Sequence, residues 1–440
     1  MSGGKFIALL VALLLVVGSV WWWTSDRKVA IKESHDRGEL PVAGEIAAGE
    51  SLEGMPSALR PADLVQARKM FQSLYPGTAP DRLDLLSVAG ELALAENEYA
   101  RAVACFQEIP TSHLRYGLAA RLLEGTVRID LHQAAAAEAS LREYLIAVRK
   151  QEQFKINDVI GAYKWLNYLL SVELRLDERA EFLGELHRIG LADILDSKQL
   201  FFPNLLILNS PAGRKRIEEF LQQDPENLRL RIAKVRYQTL AGEFEQAIAQ
   251  GEQLLRQEPT NREVLGVLLE ALFEGAAEDR FREIATQLPP PAADDPSLLT
   301  RFRGEYALME GKFEDAITRF QEVLARDPAH APVQMSLATA LQQAGRRDEH
   351  AQALKRASIL AEIRVNLNNV QNDAVAATED LVEKCQGIDY PLAASVFQSH
   401  AKVIAQSLQN QESTAPFEST GPSESNGPSA STPGQSEGER

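Results

Sequence analysis

The chain has 440 residues, 45% of them hydrophobic and 25% charged, with a formal net charge of −16. That length supports a large core, and the proportions are those of an ordinary globular chain. The acidic balance excludes a nucleic-acid-binding face, which needs lysine and arginine to neutralise phosphate, and fits a scaffold or a chain that meets basic partners.

Lys5 precedes an uncharged run from Phe6 to Val20, followed by Trp21-Trp22-Trp23 and then Asp26, Arg27 and Lys28. The run reaches the lower limit for crossing a bilayer, and tryptophan favours the headgroup layer at its end. Residues 1–23 are therefore read as a transmembrane anchor, with a cleaved signal peptide as the alternative. Arg27, Lys28, Lys32 and Arg37 after the run favour a cytoplasmic body by count of basic residues. A short N-terminal tail and a signal-like start favour export. The expectation is a single-pass protein of a bacterial cytoplasmic membrane with its soluble domain on the outer, periplasmic side. Residues 24–60, interrupted by Gly38, Pro41, Gly44, Gly49, Gly54 and Pro56, read as a flexible linker.

Helices are expected from 61 to 409. Pro61 suits a first helical turn ahead of Ala62–Leu74. In the next unit, Ala89-Gly90 is a small pair on one helix. Asn97 takes the turn, and Tyr99, Ala102, Val103 and Phe106 share a face of the next helix. Leu114–Asp130 and Gln133–Lys150 form an alanine-rich pair. The stretch 153–209 is least regular. Its apolar run Leu200–Leu208 reads as a buried helix pair, with an exposed docking patch as the alternative.

From 228 to 360 a pattern recurs. Gly242 and Phe244 are followed by Ala247, Ile248, Leu255 and Pro259. Gly311 and Phe313 are followed by Ala316, Phe320, Leu324 and Pro328, and Gly345 lies 34 residues after Gly311. Gly275 falls where an intervening turn belongs, with Phe281 and Ile284 as weaker anchors. Glycine allows the turn, alanine allows close approach of two helices, and proline ends the second helix. The run Leu288-Pro289-Pro290-Pro291 reads as a spacer.

These residues resemble the tetratricopeptide repeat (TPR) family, of the bacterial type with an N-terminal membrane anchor. The resemblance is clear for 81–110 and 228–360 and implies an all-α solenoid of helical hairpins in a right-handed superhelix, preceded by one transmembrane helix. The region 61–227 then holds one clear and several degenerate repeats, 361–409 forms capping helices, and 410–440 is a disordered Ser/Gly/Pro/Glu tail. The family's function is binding protein partners on a concave face lined by the first helix of each repeat. Laying the repeat on this sequence puts Arg229, Arg236, Arg301 and Glu305 on that face. The lysine and asparagine set by which some members grip C-terminal carboxylates is absent, as is the cysteine-rich knuckle of one membrane-anchored branch.

No phosphate-binding loop, nucleophile elbow or H-E-x-x-H occurs, and the two cysteines, Cys105 and Cys385, stand far apart. The chain is therefore expected to be a scaffold with no catalytic site, metal or cofactor. Self-association through helices of 351–409, giving a homo-oligomeric assembly factor of the cell envelope, is the alternative.

Overall fold

The computed structural model describes residues 59–151, 154–202, 211–369 and 375–414. The expected anchor, most of the linker, the run 203–208 and the tail from 415 onward lie outside them. The described residues form nineteen helices and no strand. They are α1 (Pro61–Leu74), α2 (Arg82–Ala95), α3 (Tyr99–Gln107), α4 (Gly117–Asp130), α5 (Ala134–Val148), α6 (Ile156–Val172) and α7 (Leu176–Arg188). Next come α8 (Ile194–Phe201), α9 (Pro211–Gln223), α10 (Leu228–Leu240), α11 (Phe244–Gln257), α12 (Arg262–Glu274) and α13 (Glu278–Thr286). The last six are α14 (Ser297–Met309), α15 (Phe313–Arg326), α16 (Ala331–Gln343), α17 (Arg347–Asn369), α18 (Val375–Gly387) and α19 (Pro391–Thr414). Among the described residues no helix is long and apolar enough to cross a membrane.

Eight hairpins share one turn. Asn97, His132, Leu174, Gly242, Ala276, Gly311, Gly345 and Asp389 all have φ between 53° and 78°. Each lies two residues before the second helix of its hairpin. The next residue donates its N–H five positions back, as in Glu98→Ala93 at 2.8 Å, Arg175→Leu170 at 2.9 Å and Lys312→Ala307 at 2.8 Å. This is the Schellman arrangement, which satisfies carbonyls that a helix end leaves bare. Gly275 is not the turn residue expected from sequence. Its φ is −82°, and Ala276 carries the left-handed backbone instead. Gly275 serves packing, since a Cβ there would lie 3.0 Å from the Cβ of Phe244.

Close approach within hairpins follows from the small residues. A Cβ on Gly90 would meet the Phe106 ring at 2.6 Å, and one on Gly304 would meet the Phe320 ring at 2.6 Å. Ala102, Ala247 and Ala316 are fully buried beside them. The first helices α10, α12, α14 and α16 touch in succession as an inner layer, and α11, α13, α15 and α17 pack outside it. The proline run is held by two arginines, and the residues after it by a third, rather than left as a free spacer. Arg303 donates to Pro289 O at 2.7 Å, Arg262 to Pro290 O at 3.2 Å, and Arg326 to Asp295 O at 2.6 Å. Cys105 and Cys385 are buried and unpaired.

The array does not end open. The hairpin α18–α19 covers α17 and also reaches back to α7 and α8. Leu183, Leu200 and Phe201 share one apolar cluster with Leu360, Ile363, Leu381 and Phe397. Across the interior, the Ser297 N–H donates to Asp177 Oδ2 at 2.8 Å, and Arg236 donates to Leu174 O at 3.2 Å. The inside of the arc is thus filled at its centre by the start of α7.

A left-handed backbone costs a non-glycine residue about 1–2 kcal/mol, more than the extra chain entropy of glycine, about 0.4–1 kcal/mol. Urea melts should therefore show Gly311→Ala losing about 1 kcal/mol and exposed Ala276→Gly gaining about 0.5–1 kcal/mol. Changes of the opposite sign would contradict the turn assignment.

Candidate protein-binding groove

The inner layer presents one residue per repeat in a fixed register. Arg236 on α10, Glu270 on α12 and Glu305 on α14 follow each other at about one repeat length, and Thr339 on α16 continues the row. Arg236 and Glu270 form a two-pronged pair, Nε to Oε2 at 2.8 Å and Nη2 to Oε1 at 3.2 Å. Their side chains are 14% and 7% exposed, so this pair cannot meet a partner as it stands. Glu305 is buried and accepts from Ser336 Oγ at 2.6 Å, and burial pushes its carboxyl above the usual range.

Arg301 is mostly covered. It lies 4.7 Å above the Phe302 ring and 3.3 Å from Glu274. Arg229 is the most open of the four sequence-chosen groove residues, with a side chain 52% exposed and Glu138 at 3.2 Å. The structure therefore joins Arg236 to the filled centre, puts Arg301 and Glu305 at its margin, and sets Arg229 apart near α5.

The open part of the inner face is on α16. Met335 is 50% exposed, and Thr339, Gln342 and Gln343 are exposed on the same stripe. Sequence reasoning passed over these residues, although Met335 and Thr339 lie one repeat length beyond Arg301 and Glu305.

The filled centre carries unusual charge. Arg179 on α7 is 2% exposed and, among the described residues, bonds only Ser171 Oγ at 3.1 Å and leaves Nε without a partner. Burial pulls its guanidinium down to about 10. Asp327, partly buried in the turn before α16, has a carboxyl that burial and then Asp177 push up to about 6. Burial and then Arg301 pull His330 down to about 4. No run of sequence announced this cluster, because its members come from α7, α10 and the α15–α16 turn.

Residues 307–361, from the end of α14 through most of α17, match the tetratricopeptide repeat family model. No curated protein matches the chain. Solved structures with partial likeness include a tetratricopeptide repeat protein from Parabacteroides merdae, at 11% identity over 63% of this chain and 99% of that one, with a TM-score of 0.29. MamA of AMB-1 is 19% identical over 44% of this chain and 100% of its own, with a TM-score of 0.26. The TPR domain of P58(IPK) is 14% identical over 79% and 94% of the two chains, with a TM-score of 0.22. Likenesses of this size say nothing about what this chain binds.

Two outcomes follow. Arg236→Ala strands buried Glu270 and should cost about 3–5 kcal/mol in urea melts, whereas Arg229→Ala should change stability by no more than about 1 kcal/mol. Equal effects would contradict the placement. Asp327 has a higher folded pKa than the unfolded 3.8, so its cost to stability appears as pH rises from about 4 to about 6 and is complete above that. Asp327→Asn should gain about 2 kcal/mol at pH 8 and almost nothing at pH 4. A pH-independent effect would remove Asp327 from the strained centre.

Proposed function

We propose that this chain is a membrane-tethered scaffold that holds a protein partner at the open, α16 end of its inner groove. The exposed stripe of Met335, Thr339, Gln342 and Gln343 carries this reading, because a helical-repeat array offers partners its inner layer and Arg236, Glu270, Arg301 and Glu305 on that layer are mostly covered. Methionine adapts to varied apolar surfaces, and the flanking amides and Glu274 orient a partner by hydrogen bonds and charge. The reading assigns the protein no catalytic role, metal or cofactor. Tethering belongs to residues 1–23, with the body on the outer side of a bacterial cytoplasmic membrane; a periplasm-active reporter fused after Arg60 tests that orientation.

Scaffolding is preferred to self-assembly through 351–409. Leu360, Ile363, Leu381 and Phe397 already spend their apolar faces within one chain.

A photo-crosslinking residue at Met335 should capture a discrete protein from membrane fractions, while the same residue at exposed Gln321 on outer helix α15 should not. Capture equal at both positions, or at neither, would sink the groove reading.

A further inference from the structure

α19 has the form of a ligand lying in a groove. Its Phe397 ring stacks on Phe201 of α8 with centroids 6.1 Å apart and planes at 27°, and Tyr390 lies 5.7 Å from the same ring. Phe201 and Phe397 are fully buried. Leu392 rests where Gly184 of α7 has no side chain, and a Cβ there would lie 3.5 Å from its methyl. Leu183, Leu360 and Ile363 complete the wall.

Tyr390, just before α19, shares a face with Ala393, Ala394 and Phe397 on it, all buried. Two aromatic anchors a heptad apart, with alanines between, follow the i, i+3, i+4, i+7 spacing by which an amphipathic helix docks in a groove. The fit of α19 is incomplete. His400, one turn further on, has a buried Nε2 without a partner, which costs the desolvation of that nitrogen. The α18–α19 hairpin also packs more extensively on itself than on the rest of the body. These features belong to an occupant that can leave.

We propose that α7, α8 and α17 form a helix-docking seat covered in cis by the α18–α19 hairpin, and that an amphipathic partner helix with two aromatic residues a heptad apart takes the place of α19. The proposal rests on the scaffold reading and adds a second, closable site to the open stripe on α16. While the α18–α19 hairpin is seated the ring is shut, and its release uncovers the apolar wall of Leu183, Phe201, Leu360 and Ile363.

The test uses the full chain and a labelled synthetic peptide of residues 389–406. In an anisotropy titration, the peptide should bind Phe397→Asp at least ten times more tightly than the unaltered chain, and a peptide carrying F397D should bind neither. A folded Phe397→Asp chain that ignores the peptide overturns the proposal. If that variant fails to fold, hydrogen exchange on the unaltered chain decides. The α18–α19 amides should open together at least ten times faster than those of α14–α15, and equal protection would make α19 permanent core. Peptide binding without any protein captured at the seat or at Met335 would leave the seat standing and defeat the scaffold reading.

Discussion

The whole architecture depends on one backbone device, a left-handed residue placed two positions before the second helix of each hairpin. It ends the first helix, returns an N–H to a carbonyl five residues back, and launches the second helix antiparallel to the first. Because the turn is the same in eight hairpins, adjacent helix pairs repeat nearly the same geometry. Gly90 under Phe106 and Gly304 under Phe320 then set the same short helix separation in units more than two hundred residues apart. Stacking of like units gives an inner and an outer layer without any long-range instruction.

Curvature has a consequence that the unit alone does not contain. After several hairpins the array returns on itself, and α19 meets α7 and α8. The inner face therefore cannot be a uniform groove. Its centre is filled by the start of α7, with Arg179 short of partners and Asp327 held up by its surroundings. Uncompensated charge of this kind weakens a core compared with apolar packing of equal volume. The ring is held instead by the aromatic contacts of α8 with α19.

Much of the fold was legible in the sequence where glycine or asparagine marked the turn, as at Asn97, Gly242, Gly311 and Gly345. The turn residues His132, Leu174, Ala276 and Asp389 were hidden because they are ordinary residues in the left-handed position; the repeat at Ala276 was placed from sequence, but with its turn on Gly275. The hydrogen bonds and packing of the hairpin offset a strain of about 1–2 kcal/mol, so no glycine is required. Register along the inner layer was also legible, and Arg236, Arg301 and Glu305 do lie on it. Their accessibility was not, because Arg236 is covered by the turn leading into α7, and no periodicity records which segment crosses which, while Arg301 and Glu305 are covered by residues of their own and adjacent helices. The alanine-rich pair at 114–150 was legible as two helices but not as a repeat, and the stretch 153–209 looked irregular, for a similar reason. Their polar side chains pair across hairpins, as Arg175 does with Glu138 at 2.6 Å, instead of following the aromatic pattern of the later repeats.

Ring closure is the claim on which the filled centre, the open α16 stripe and the docking seat all depend. The most direct test is a spin-label distance between Lys198→Cys on α8 and Lys402→Cys on α19 in the full chain, measured by pulsed electron resonance. Packed helices lie about 10 Å apart, so a closed ring gives one short, narrow distance distribution. A long, broad distribution, as expected of an open superhelix whose last hairpin merely caps α17, would contradict the account.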